Sequence, residues 1–485
     1  MLVVSCNQND FEYDIHSLVK AFYPAEEVKV FLEHDYGNEG ISSSPHLPDI
    51  NIYFNEDRVL LLLYADGETS VLGADMDEAA SRIERKNCLK QLIYAALAQH
   101  TGRELPWGAL TGIRPVKLAA GRLDAGHTAD DVIRHMQETY FCGENKAALA
   151  TDIALRERSI LKDLDYKDTY SLYISIPFCQ TRCLYCSFTS YPLSKYQPRL
   201  GEYLEALFQE IDMCAQLYPH SAPSSIYIGG GTPTSLAETE LARLLNKIKT
   251  SFDLGGVHEY SVEAGRPDSI NKEKLALLRS GGVGRISINP QTMNDVTLER
   301  IGRAHGAQDV VDAFWLARDA GFDNINMDII LGLPAEGPRE VERTMAAVRE
   351  LGPDSLSIHS LAIKRGAKMT EWVGEHGLDL LKNDEETMQI AADTAASLGM
   401  QPYYLYRQKN MAGNFENVGY ARPGCYCLYN ILTMGERQNI VALGADVLPL
   451  SKRIHADGDV ERLANVKEVE LYMAQMAEKA YVKST

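Results

Sequence analysis

The chain has 485 residues, 45% hydrophobic and 24% charged, with a formal net charge of -19. That length exceeds one ordinary core and provides for two or three domains. The acidic balance argues against bulk affinity for nucleic acid or anionic membranes, and no apolar run reaches the roughly eighteen residues of a membrane span.

At the start, MLVVSCNQNDFEYD lacks the basic segment and small-residue cleavage site of a signal peptide, which predicts a cytoplasmic protein. Residues 1–165 read as an N-terminal α+β domain without an assigned role. INIYFNEDRVLLLLYAD (50–66) gives two strands around a polar turn. DEAASRIERKNCLKQLIYAALAQHTG (77–102) has helical spacing and stops at Gly102. PWGALTGIRPVKL (106–118) reads as a structured loop before a helix, with Trp107, Arg114 and Lys117. The charged helical run 151–168 leads into the next domain.

From about residue 170, short apolar strands alternate with helical stretches. The strands read as 171–176, 224–230, 259–264, 285–290, 324–331 and 355–362. Six β-α units in series predict a parallel sheet with helical crossovers. Six units fall short of the eight of a closed barrel, so the fold class is α/β, a partial (β/α)6 barrel over 166–368. Chemistry in such sheets sits at the carboxyl ends of the strands. Residues 369–485 form a C-terminal α/β extension, with a helix at 384–399, a strand at 402–407, and a loop carrying Asn414, Asn417, Arg422, Cys425 and Cys427.

The nine cysteines, an odd count, argue against a disulfide framework. Cys179, Cys183 and Cys186 follow the first barrel strand in the pattern C-x3-C-x2-C. Three thiolates on one loop can hold three irons of a four-iron cubane and leave the fourth open to another ligand. Zinc would want a fourth ligand nearby, yet the next cysteine is Cys214, and the next histidine is His220. Gly229, Gly230 and Gly231 end the second strand, where glycine lets backbone approach a ligand closely. Glu263 and Asp328 lie in apolar strands, where an unpartnered carboxylate is costly; both are site candidates. Arg303 reads equally as a surface residue or as a fork for a carboxylate.

C-x3-C-x2-C with Tyr185 before the last cysteine resembles the signature of radical S-adenosylmethionine (SAM) enzymes. IPFC before it, GGGTPTSL, SVEAGRPDS, RISINPQTMND, RIGRAHGAQD and NMDIILGLPAE are similar, in order, to the branch containing oxygen-independent coproporphyrinogen III oxidase. The N-terminal segment with PWGALTGIRPVKL resembles the HemZ-type subgroup. The resemblance implies a [4Fe-4S] cluster on Cys179, Cys183 and Cys186, and one or two molecules of SAM. It implies cofactor contacts at Tyr173, Tyr185, Gly230, Gly231, Thr232, Glu263 and Ala362, with Gln291, Arg303 and Asp328 lining a second SAM pocket. It also implies a tetrapyrrole substrate, an electron donor such as flavodoxin or ferredoxin, and decarboxylation of coproporphyrinogen III to protoporphyrinogen IX through a 5'-deoxyadenosyl radical.

The substrate's four carboxylates would need local cations, for which Arg266, Arg303, Lys364, Arg365 and Arg407 are candidates. One departure matters: the family's oxidases usually carry a fourth cysteine where this chain has Phe188. That favours, as alternatives, a haem-binding or haem-trafficking protein, with His359, Cys425 or Cys427 as ligands, or a radical SAM enzyme such as a methyltransferase acting on another substrate.

Overall fold

The computed structural model describes residues 1–33, 48–77, 79–111, 114–188, 190–364, 366–409, 411–445, 451–455 and 458–484, with side chains as far as Glu478. Contacts divide the chain into two compact units. The first is Met1–Ala154 with Tyr406–Glu416; the second is Leu155–Leu405 with Asn417–Thr485.

The first unit is built on strands β1 (Leu2–Cys6), β2 (Val28–Leu32), β3 (Ile50–Phe54), β4 (Arg58–Ala65) and β5 (Glu68–Asp75), in sheet order β2-β1-β3-β4-β5. The helix Glu12–Phe22 crosses over between β1 and β2, which makes that pair parallel. Asp66 (φ 54°) and Gly67 (φ 80°) close the antiparallel β4–β5 hairpin, because a two-residue turn of that twist needs positive φ at both positions. The helix Arg82–Thr101 begins with a Ser81/Glu84 capping box and ends on left-handed Gly102. Its Leu89, Ile93 and Leu97 pack with Ile15, Val4, Ile52 and Leu61 into one core.

The segment Tyr406–Glu416 joins this unit from far along the chain. Trp107 is fully buried, and its Nε1 donates to Glu416 Oε2 at 2.7 Å. Lys146 Nζ donates to Glu416 Oε1 at 2.6 Å. The Arg407 guanidinium lies 5.5 Å from the Trp107 ring centre and donates to the Leu110 carbonyl and to Asn414. Arg407, a sequence candidate for receiving substrate carboxylates, is therefore a buried member of the first unit's own polar network.

The second unit carries an eleven-stranded sheet. Its centre is six parallel strands: β6 (Tyr170–Ile176), β9 (Pro223–Gly230), β10 (Glu259–Glu263), β11 (Arg285–Ser287), β12 (Ile325–Leu331) and β13 (Ser355–Ser360). The short strands β7 (Phe178–Cys179) and β8 (Tyr191–Pro192) pair with each other. Beyond β13 come β15 (Asn417–Ala421), antiparallel to it, and then β14 (Gln401–Tyr406). Beyond β6 come β16 (Asn439–Leu443), parallel to it, then β17 (Ser451–Ile454) and β18 (Val460–Leu463). This is the partial (β/α)6 barrel expected, extended at both edges by the C-terminal chain. Among the described residues, no helix is long and apolar enough to cross a membrane.

The period of two puts polar side chains on the inner face of these strands. Ser225 donates to Ser171 (2.7 Å), Tyr173 stacks on Tyr227 at 5.8 Å, and Arg285 donates to Ser355 (3.0 Å). The helix Leu428–Gly435 supplies Tyr429, which stacks on Tyr227 at 4.7 Å. β11 is shorter than its sequence run: Pro290 has no N–H for the ladder, and pairing resumes only at Gln291, which bridges Ile329.

Glu157, on the helix Glu144–Leu161, is 4% exposed and faces Arg437; burial pushes its carboxyl up to about 8. A carboxyl raised in the folded state contributes fully below its unfolded pKa of about 4.3 and progressively less as pH rises toward 8. Glu157→Gln is therefore expected to leave the unfolding temperature unchanged near pH 4. Near pH 9 it should stabilise by on the order of 5 kcal/mol, read from thermal scans across pH.

Candidate functional site

β6 delivers the chain through Pro177 into the cysteine loop at the carboxyl ends of the parallel strands. Cys183 is buried, while Cys179 and Cys186 are half-buried. A turn links Cys186 N to the Cys183 carbonyl at 3.1 Å. The loop is tethered on several sides. Leu184 N donates to Ile301 O (2.9 Å), Thr181 Oγ1 to Gly302 O (3.1 Å), and Arg182 to Gly366 O (2.6 Å). Arg266 donates to Thr181 Oγ1 at 2.8 Å while holding Asp268 with two bonds of 2.9 and 2.8 Å. Arg266 thus positions the loop, and its fork is already taken by Asp268.

The glycine run lies against this loop. Gly231 N donates to Ile176 O and Thr232 N to Phe178 O, each at 2.9 Å. Thr232 Oγ1 lies 3.4 Å from Cys179 Sγ. Gly230 takes φ 105°, a conformation that glycine adopts freely. A Cβ on Gly231 would sit 2.7 Å from the Phe178 carbonyl oxygen. Burial pushes the Cys179 thiol up to about 11, with Cys186 and Cys183 adding to the shift. Burial also raises Cys186. Those protons must leave before a metal can bind.

The other sequence candidates gather at the same mouth. Glu263 ends β10, and its Oε1 accepts from Tyr227 Oη at 2.7 Å. Arg303 is buried; it donates to Asn289 O and to Tyr185 Oη, both at 2.9 Å. That joins the cysteine loop to the barrel and excludes the surface reading of Arg303. Gln291 is buried with φ 68°, a strained conformation for a residue with a Cβ and a frequent mark of a functional position. Its backbone N–H donates to Asp328 O at 3.0 Å. Asp328 accepts from Asn326 (2.7 Å) and has His359 Nε2 at 3.9 Å. His359 is thus paired with a candidate carboxylate, and burial lowers its pKa. Ala362 lies two residues beyond the end of β13. Tyr173 lies deeper, in the tyrosine stack.

Arg365 lies outside the described residues. Lys364 stays at the mouth, close enough to Cys186 to feel its charge, and sits 5.6 Å from the centre of the exposed Phe188 ring. Cys427 is buried, donates to Glu259, and has its thiol pushed up by burial, so it is inert. The sequence reading passed over Tyr227 and Tyr429. Tyr227 shares the inward parity of Gly229 and was visible in SSIYIGG; Tyr429 is brought in only by the tertiary fold.

A family model described as the radical SAM superfamily matches residues 173–348. The oxygen-independent coproporphyrinogen-III oxidase-like protein HemZ of Bacillus subtilis is 38% identical over 411 residues, 83% of this chain and 81% of its own length. The chain belongs to this coproporphyrinogen oxidase-like family of radical SAM proteins. The heme chaperone HemW of Bacillus subtilis is 32% identical over 317 residues, 64% of this chain and 77% of its own. The structure of coproporphyrinogen III oxidase HemN from Escherichia coli, a radical SAM enzyme, matches with a TM-score of 0.50 and 25% identity, over 66% of this chain and 72% of that one.

Radical SAM proteins use a [4Fe-4S] cluster and S-adenosylmethionine. Among the described residues, no three His, Cys, Asp or Glu side chains form a group set to hold a metal ion. A four-iron cubane makes a different demand, since each thiolate binds its own iron. The residues fit that demand: three thiols share one tethered loop beside a glycine edge with no room for a Cβ. At the same mouth, Arg303 Nε and Asn289 Oδ1 are buried without hydrogen-bond partners, as polar groups awaiting a ligand would be.

Proposed function

We propose that the chain performs radical SAM chemistry in tetrapyrrole metabolism, as an oxygen-independent oxidative decarboxylase of coproporphyrinogen III in the cytoplasm. The observation that carries this is the convergence of the cysteine loop, the glycine edge, Glu263, Gln291, Arg303 and Asp328 on one barrel mouth. In this reading Cys179, Cys183 and Cys186 hold the cluster. Gly230, Gly231 and Thr232 present backbone to the methionine end of SAM, while Tyr173, Tyr185, Glu263 and Ala362 complete its contacts. When bound, the cluster and SAM supply a 5'-deoxyadenosyl radical. Arg303, with its unpaired Nε, receives a carboxylate, and Gln291 and Asp328 line room for a second SAM. Each of two substrate propionates gives a hydrogen atom to the 5'-deoxyadenosyl radical, then loses carbon dioxide and passes one electron to a one-electron acceptor, becoming a vinyl group. The tethered mouth excludes water from that radical step. An external donor such as flavodoxin or ferredoxin supplies the reducing electron.

The test is anaerobic turnover of coproporphyrinogen III with SAM and a reductant. Protoporphyrinogen IX together with 5'-deoxyadenosine is the expected product pair, and Cys183→Ala should lower both by at least about a thousandfold. SAM cleavage without protoporphyrinogen IX would sink the substrate assignment. A second reading, haem binding, is favoured by Phe188 at the place of the oxidases' fourth cysteine and by the relatedness to HemW. A haem titration that gives a stable complex weakened in His359→Ala would support it.

A further inference from the structure

Two arginines grip the cysteine loop, one in each gap between the cysteines. Arg266 donates to the Thr181 carbonyl (3.3 Å) and to Thr181 Oγ1 (2.8 Å), between Cys179 and Cys183. Arg303 donates to Tyr185 Oη at 2.9 Å, between Cys183 and Cys186. Both arginines are buried. Both lie close enough to Cys183 to feel its charge. Arg266 also favours the thiolate of Cys179, and Arg303 that of Cys186. Salt screens buried charges of this kind far less than exposed ones.

The two differ in what offsets them. Arg266 holds Asp268 with a two-bond fork, and His305 Nδ1 lies 3.7 Å from the same carboxylate. Among the described residues, no carboxylate is ion-paired with Arg303. Its other hydrogen bonds go to the neutral carbonyls of Asn289 (2.9 Å) and Gly265 (3.4 Å). A buried cation is costly until an anion meets it. Arg266 is thus a tether whose charge is largely cancelled, whereas the charge of Arg303 is left for an anion at the loop.

We propose that Arg303 is a positioning residue that sets the reduction potential of the loop-bound cluster, through its hold on Tyr185 and its uncancelled charge. This rests on the reading that Cys179, Cys183 and Cys186 hold a [4Fe-4S] cluster. A cluster on three thiolates is anionic, and one electron from the external donor makes it more so. A fixed buried cation therefore favours the reduced form and raises the potential. A carboxylate seated on the free Nε cancels that charge, so the cluster becomes a stronger reductant once the site is filled.

The experiment is an anaerobic redox titration of the reconstituted full-length protein, with neither SAM nor substrate present. It is followed by the electron paramagnetic resonance signal of the reduced cluster, and iron and sulfide are counted in every variant. Arg303→Gln is expected to shift the one-electron equilibrium toward the oxidised form by at least about tenfold, roughly 59 mV. Arg303→Lys keeps the charge and should restore most of that shift. Asp268→Asn uncovers the Arg266 charge and should move the equilibrium the opposite way. Arg243→Gln, at an exposed arginine paired with Glu205, is the control and should leave it in place. Should Arg303→Gln fail to hold a cluster, Asn289→Asp puts a carboxylate on the residue whose carbonyl Arg303 holds. The potential should then fall with the arginine still present. A parent protein that takes up no iron and sulfide would overturn the cluster reading, and this proposal with it. With the cluster full, three results would overturn this proposal alone: an unmoved potential in Arg303→Gln or in Asn289→Asp, equal shifts in Arg303→Gln and Arg303→Lys, or shifts of one sign in Arg303→Gln and Asp268→Asn.

Discussion

Gly231→Ala is expected to cost the protein most of its cluster while leaving the fold in place. The added Cβ would lie 2.7 Å from Phe178 O, 2.8 Å from its N and 2.9 Å from its C. These are backbone atoms and cannot turn aside as a flexible side chain would. Either the β9 end or the Phe178–Cys179 strand must move, and overpacking of this kind costs about 1–3 kcal/mol. The movement falls on the residue before Cys179 and on the bond from Gly231 N to Ile176 O. Iron and sulfide per chain after anaerobic reconstitution should fall several-fold, with unchanged far-ultraviolet circular dichroism. Gly201→Ala is the control: its Cβ would meet nothing within 4 Å on a helix, so it should retain full cluster and gain a little stability. Full cluster content in Gly231→Ala would mean that the loop is looser than its hydrogen bonds imply.

Glu416→Ala is expected to destabilise the first unit by about 3–5 kcal/mol, the usual result of breaking a buried ion pair from one side. Glu416 is 1% exposed and receives both Lys146 Nζ and Trp107 Nε1. Removing it strands a buried ammonium and an indole N–H together. The double replacement Glu416→Leu with Lys146→Met should recover much of the loss, because an apolar pair carries no desolvation penalty. Urea unfolding of the single and the double variant beside the parent protein reads this directly. A loss below about 1 kcal/mol in the single variant would show that water reaches the pair.

Local pattern carried far in this chain. The helix Arg82–Thr101 was legible from its periodicity and its Gly102 stop, and the six parallel strands from apolar runs at regular intervals. The cysteine spacing marked the loop, and Glu263 and Asp328 stood out because charge inside an apolar strand demands a reason. Arg303 was undecided, since a helix-edge arginine looks the same whether it faces water or a pocket. What escaped depends on contacts between distant residues. β16 adds to the free edge of β6 across more than 260 residues, and nothing in NIVAL announces that partner. Tyr429 reaches Tyr227 only because its helix docks at the strand starts. The positive φ of Gln291 is a strain that sequence cannot display.

The late arrival of Glu416 also has a consequence for synthesis. Trp107 waits for a partner 309 positions further along the chain. At about 5–20 residues per second, a ribosome takes roughly 15–60 s to cover that distance. Through that interval the nascent first unit presents an unsealed tryptophan pocket and an unpaired Lys146. Domains that close early can fold as they emerge; this one stays open until nearly the whole barrel has been made. Folding helpers should therefore dwell on its nascent chain, and expression of residues 1–154 alone should yield an aggregating fragment.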